Sequence, residues 1–92
     1  NRLMKKILET LVAESSSKQQ LRLIDQIAGK YWFSCEQVVS LLSPFEFSKD
    51  QIRALGKLAP RIVDLPDQAK IIRFFKYDSE KKKAKAILKK VG

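Results

Sequence analysis

The chain has 92 residues, 45% of them hydrophobic, with only three glycines and three prolines. That composition excludes disorder and low complexity and suits one domain with its own core. Nineteen Lys/Arg against ten Asp/Glu give a net charge of +9, while no histidine and one cysteine argue against a zinc centre and exclude an internal disulfide.

Hydrophobic periodicity places the first helix at about Arg2 to Ala13, with Leu3, Met4, Ile7, Leu8, Leu11 and Val12 on one stripe. A second, about Lys18 to Ala28, buries Leu21, Ile24, Ile27 and Ala28, and Gly29 suits a left-handed residue closing it. Tyr31-Trp32-Phe33 is the one aromatic triplet, expected to pack mainly as a connector on the core. Three adjacent side chains cannot share a direction, so Trp32 is expected near the surface as an interaction anchor. The third helix, Cys35 to Ser43, offers Val38, Val39, Leu41 and Leu42 to the core and ends before Pro44.

A fourth, Lys49 to about Ala59, carries Ile52, Leu55 and Leu58. Pro60 ends or kinks it, and Ile62-Val63 continue into the core. The fifth, about Leu65 to Phe75, has Ile71, Ile72, Phe74 and Phe75 on more than one side and should be the most enclosed. The sixth, Glu80 to Val91, has a narrow stripe of Ala84, Ile87, Leu88 and Val91 among lysines. No stretch alternates long enough to make a strand. The expected fold is a compact all-α domain of about six short helices, antiparallel or crossing.

Helix starts are marked by S-x-x-Q boxes at Ser17/Gln20, Ser34/Gln37 and Ser48/Gln51, in which the hydroxyl and the amide satisfy opposite orphan N–H groups. Asp64 and Asp78 (or Ser79) serve the last two helices. From Ser17 the starts step by 17, 14, 16 and 14 residues, so that neighbouring steps sum to about thirty. That spacing suggests pseudo-repeated helix pairs, and Phe45-x-Phe47 and Phe75-x-Tyr77 precede a start in both copies.

Chemistry is sparse. The carboxylates are scattered singly at first-turn or exposed positions, no serine has a histidine base, and no glycine-rich phosphate loop exists. Cys35 falls at the first turn of its helix, where the dipole favours a thiolate, but Glu36 beside it and the lack of histidine leave a bystander thiol. No catalytic residue, cofactor or metal is therefore expected.

Charge is the stronger signal. Residues 1–46 carry six basic and five acidic side chains, net +1; residues 47–92 carry thirteen and five, net +8. Lys81, Lys82, Lys83, Lys85, Lys89 and Lys90, with Lys70 and Arg73 just before them, form a candidate anion-binding set for nucleic acid or an acidic membrane surface. A lysine run beside an apolar stripe is equally the solvated face of a helix, and lysines suit a helix C-terminus.

Ser34-x-x-Gln37-Val38-Val39, Phe45-Glu46-Phe47-Ser48-x-x-Gln51, Ala59-Pro60-x-Ile62-Val63-Asp64 and Phe75-x-Tyr77 together resemble the domain-of-unknown-function family 4476. The resemblance covers about residues 5–90 and implies an all-α domain, often part of a longer chain, with no established activity, cofactor or catalytic residue. Gln51 and Lys49 occupy the neighbourhood of the family's turn lysine, and the lysine-rich last helix is heavier than the pattern requires.

The expected role is a non-catalytic protein-interaction module with an unknown protein partner; electrostatic contact with nucleic acid or acidic lipid is the alternative. The domain is expected to be monomeric by itself. A sequence beginning at Asn1 instead of Met reads as a piece of a longer protein, and one unpaired cysteine weakly favours a reducing, intracellular compartment.

Overall fold

A computed structural model describes residues 2–91. Six α-helices run in the order α1 (Arg2–Ala13), α2 (Ser17–Ala28), α3 (Cys35–Leu42), α4 (Ser48–Leu58), α5 (Ala69–Phe74) and α6 (Asp78–Val91), with 3₁₀ turns at Ala59–Arg61 and Leu65–Asp67. The domain is all-α among the described residues, and its one β feature is an isolated parallel bridge between Phe33 and Ile62. No described helix is long and apolar enough to cross a membrane.

Helices pack on the next but one in the chain: α2 on α4, α3 on α5, α4 on α6, with α1 laid against α3. Their direction follows from their contacts. Lys18 and Leu21 of α2 lie beside Asp50 and Arg53 of α4. Toward the other end, Lys57 of α4 pairs with Asp25 of α2 at 2.9 Å. Glu80 and Lys83 of α6 face Ser48 to Arg53 of α4 in the same sense. So α2, α4 and α6, alternate helices of the chain, run parallel. The return helices α3 and α5 make this possible.

The core is one cluster that includes Leu11, Ile24, Val38, Leu41, Leu42, Leu55, Leu58, Ile71 and Leu88. Its most enclosed elements are α3 and α4, with four buried residues each, against Ile71 alone in α5. The expected long, enclosed fifth helix is a 3₁₀ turn followed by six residues. Pro66 supplies no donor and holds the chain in the tighter turn. Ile62 is buried as expected, but Val63 is 64% exposed, because extended backbone beside the Phe33 bridge turns successive side chains to opposite sides. The paired aromatics divide as well: Phe45 and Phe75 are buried, Phe47 and Tyr77 are exposed. On α1, Ile7 and Leu11 reach the core while Leu3 and Val12 stay exposed.

Of the three serine boxes, one forms. Ser34 accepts from the Gln37 N–H at 3.1 Å and Gln37 Oε1 accepts from the Ser34 N–H at 2.9 Å. At α2 the cap position is Ser16, without a side-chain bond, and the buried Gln20 instead donates to the Leu11 carbonyl at 2.8 Å, tying α2 to α1. At α4 the cap is Phe47; Ser48 makes no capping bond, and Gln51 Nε2 reaches back to the Phe45 carbonyl. Gln20 is drawn to the preceding helix and Gln51 to the segment leading into its own, so neither glutamine completes a box. Asp64 does not cap the turn after it: its Oδ1 accepts the Cys35 N–H at 2.7 Å, capping α3 from 29 residues away. Asp78 lies inside α6, whose preceding N–H, that of Tyr77, points to Glu80.

Gly29 is right-handed, φ −77°, so no glycine conformation closes α2. Arg61 closes it instead, its Nε donating to the Ala28 carbonyl at 2.6 Å and its Nη2 to that of Gly29 at 3.2 Å. A cation on the last carbonyls offsets the negative end of the helix.

Candidate interaction surfaces

The anchoring of Arg61 has a consequence for Trp32. The guanidinium carbon lies 4.7 Å from the Trp32 ring centroid, so one face of the indole rests on a cation that two backbone carbonyls hold in place. Trp32 nevertheless stays 60% exposed. Next to it, Leu3, Ile7, Tyr31, Phe33 and Gln37 help line a shallow recess of about 190 Å³ between α1 and α3. Of the aromatic triplet only Phe33 is buried; its N–H donates to the Arg61 carbonyl at 2.8 Å, and the Val63 N–H donates to the Phe33 carbonyl at 2.9 Å. The backbone beneath Trp32 is thereby pinned to the chain carrying Arg61. The sequence placed Trp32 correctly at the surface; it held no sign of Arg61, which lies 29 residues further on.

One lysine of α6 stands apart from the other five. Lys81 is half-buried and its ammonium donates to the carbonyls of Ile72, at 3.1 Å, and Phe75. It is the cap of α5, which has no room for a closing turn before α6 begins, and its charge is thus engaged with the protein itself. Lys82, Lys85 and Lys89, at i, i+3 and i+7, share an exposed stripe, while Lys83 and Lys90, seven apart, lie on another. Lys83 lines the groove with α4. Lys70 and Arg73 are exposed on α5. Lys89 and Lys90 occupy the last turn of α6, where they complement its negative end.

A second basic region escaped the reading of the sequence, because its members come from three helices. Grooves at the N-terminal ends of α2, α4 and α6 share Lys49 and Arg53; one adds Lys18, the other Lys83. Phe47, 55% exposed, stands at their edge, with Leu21 in one floor and Ile52 in the other.

Cys35 is the remaining reactive side chain. Its thiol is fully buried and donates to the Asp64 carbonyl at 3.3 Å. Burial first, then the hydrogen bond and the negative charge of Asp64, push its pKa up to about 12. The expected help from the helix dipole is outweighed, and the thiol stays protonated. Among the described residues no group of three or more His, Cys, Asp or Glu could hold a metal ion.

Against this architecture stands one comparison: the family model described as Domain of unknown function (DUF4476) matches residues 1–88. The chain belongs to this family. The match spans α1 through most of α6, so the parallel helices, the Trp32 shelf and the basic grooves all lie within the domain that defines it. No solved structure matches the chain.

Proposed function

We propose that this DUF4476 domain is a non-catalytic protein-interaction module that seats a partner on the shelf around Trp32. The observation that carries the reading is an exposed indole held in one orientation by an anchored guanidinium. Tryptophan and arginine are over-represented among residues that dominate binding energy. An aromatic already fixed before contact loses little side-chain entropy on binding. Leaving catalysis out rests on the absence of histidine from the sequence and on Cys35, a buried, protonated thiol that is a poor nucleophile.

The electrostatic alternative, nucleic acid or acidic lipid on the exposed lysines of α6 with Lys70 and Arg73, draws support from the net charge of +9. It ranks second because Lys81 serves α5 and Lys89 and Lys90 complement the negative end of their own helix.

The test uses Trp32 as its own reporter, since the chain has no other tryptophan. Proteins captured on the immobilised domain are purified and titrated against it, with tryptophan emission and calorimetry as readouts. A direct partner should shift the emission to the blue and lose at least about tenfold in affinity with Trp32→Ala, the loss expected of a central anchor. If no direct partner loses affinity with Trp32→Ala, the reading is overturned.

A further inference from the structure

Cations are placed in this fold where the backbone disfavours them. The N-termini of α2, α4 and α6 lie at one end of the molecule, and each helix presents about half a positive charge there through its unsatisfied N–H groups. Acidic side chains are the usual complement of such an end. Yet α2 has no acid in its first turn and carries Lys18 there. In α4, Lys49 is the second residue and Arg53 follows one turn later. Lys83 of α6 turns toward the same groove.

Four cations thus meet three carboxylates, Asp50 in the first turn of α4 and Asp78 and Glu80 in that of α6. Asp50 is buried, with Arg53 Nη1 at 3.8 Å. Glu80 points to the Tyr77 N–H. The remaining positive potential faces solvent in the free domain.

We infer that the grooves joining α2, α4 and α6 form a docking site for an acidic, amphipathic polypeptide segment. Charge complementarity selects the sign of the partner. The lining selects its class: Phe47, more than half exposed, shares one groove with Leu21, and Ile52 lines the adjoining one. A polypeptide that intersperses Glu or Asp with Leu or Phe satisfies rim and floor together. Nucleic acid finds a single stacking face there, Phe47, since Leu21 and Ile52 are aliphatic.

This site shares with the preceding proposal only that the domain is a binding module. It lies about 17 Å along α2 from the Trp32 end, eleven residues at 1.5 Å each, so the two surfaces fail or succeed separately.

The probe is a short fluorescein-labelled synthetic peptide of glutamates interspersed with leucine and phenylalanine. Polyglutamate of equal charge and a single-stranded oligonucleotide of equal charge are the comparisons, followed by fluorescence anisotropy. The amphipathic peptide should bind tighter than either, and should weaken between ~50 and ~200 mM salt. Lys49→Glu/Lys83→Glu should weaken it at least about tenfold. Lys85→Glu/Lys89→Glu, the same change of charge on the outer stripe of α6, should cost less than about twofold. Phe47→Ala should weaken the peptide but not polyglutamate.

Equal losses in the two charge-reversed variants would overturn the site in favour of general attraction by a basic domain. No peptide binding at ~50 mM salt, or preference for the oligonucleotide, would overturn it as well. Trp32→Ala should leave peptide affinity unchanged, and a Trp32-dependent partner indifferent to Lys49→Glu/Lys83→Glu would leave the shelf standing alone.

Discussion

Replacing Lys81 by methionine separates charge from packing at the junction of α5 and α6. Methionine keeps an unbranched apolar stem but cannot donate, so the Ile72 and Phe75 carbonyls lose the ammonium that caps them. Ile72 still accepts from the Phe75 N–H at 3.2 Å, whereas the half-buried end at Phe75 loses its charged donor. A hydrogen bond from a charged donor contributes about 1.5–3 kcal/mol, and a cation at a helix C-terminus about 0.3–1 kcal/mol where partly solvated. These overlap as one interaction, and partial hydration of the vacated carbonyl returns some of it. The expected loss is therefore about 1–2 kcal/mol. For a domain of this size each kcal/mol lowers the melting temperature by roughly 4–8 °C. Urea unfolding followed by circular dichroism reads the change directly. Lys82→Met, one residue on and fully solvent-facing, should stay within about 0.5 kcal/mol of the native protein. Indistinguishable stabilities for Lys81→Met and Lys82→Met would refute the assignment and return Lys81 to the solvated face.

Two further predictions concern residues that the sequence singled out. The folded domain holds the Cys35 proton to about pH 12, whereas an unfolded chain releases it near 9.0. Between those values the unfolded state binds fewer protons, so stability falls as pH rises, and below pH 9 the group contributes no pH dependence. The stability difference between native protein and Cys35→Ala should shrink by about 1.4 kcal/mol per pH unit above 9; a difference flat to about pH 10.5 would refute the shift. Ser34→Ala should cost about 1 kcal/mol through loss of the cap on α3, and Ser48→Ala under about 0.5 kcal/mol because no cap exists there. Equal losses in thermal melts would contradict that distinction.

The sequence by itself determined what short-range periodicity encodes. Apolar residues at helical spacing placed all six helices, and they could do so because each stripe needs only its own turn geometry to lie on one face. The aromatic pairs at Phe45/Phe47 and Phe75/Tyr77 marked the entries to α4 and α6, and the crowding of Tyr31-Trp32-Phe33 left Tyr31 and Trp32 exposed. Membership of the DUF4476 family was legible in the same caps, turns and core positions.

Tertiary structure decided everything that depends on partners far apart in the chain. Ser17 and Ser48 carry the same box as Ser34, yet only Ser34 forms it. Gln20 found the Leu11 carbonyl, a bond that only packing brings within reach, and Gln51 that of Phe45. Gly29 read as the closing residue of α2, but Arg61 arrived from the turn after α4 and closed it with a charge. Lys81 looked like one lysine of six until α5 ended beside it. The two candidate surfaces follow the same rule. Trp32 is fixed by a residue 29 positions away, and the basic grooves gather Lys18, Lys49, Arg53 and Lys83 because α2, α4 and α6 run parallel. Local pattern fixes which residues form a helix; it carries no information on which helix ends meet, and the two proposed surfaces of this domain lie at those ends.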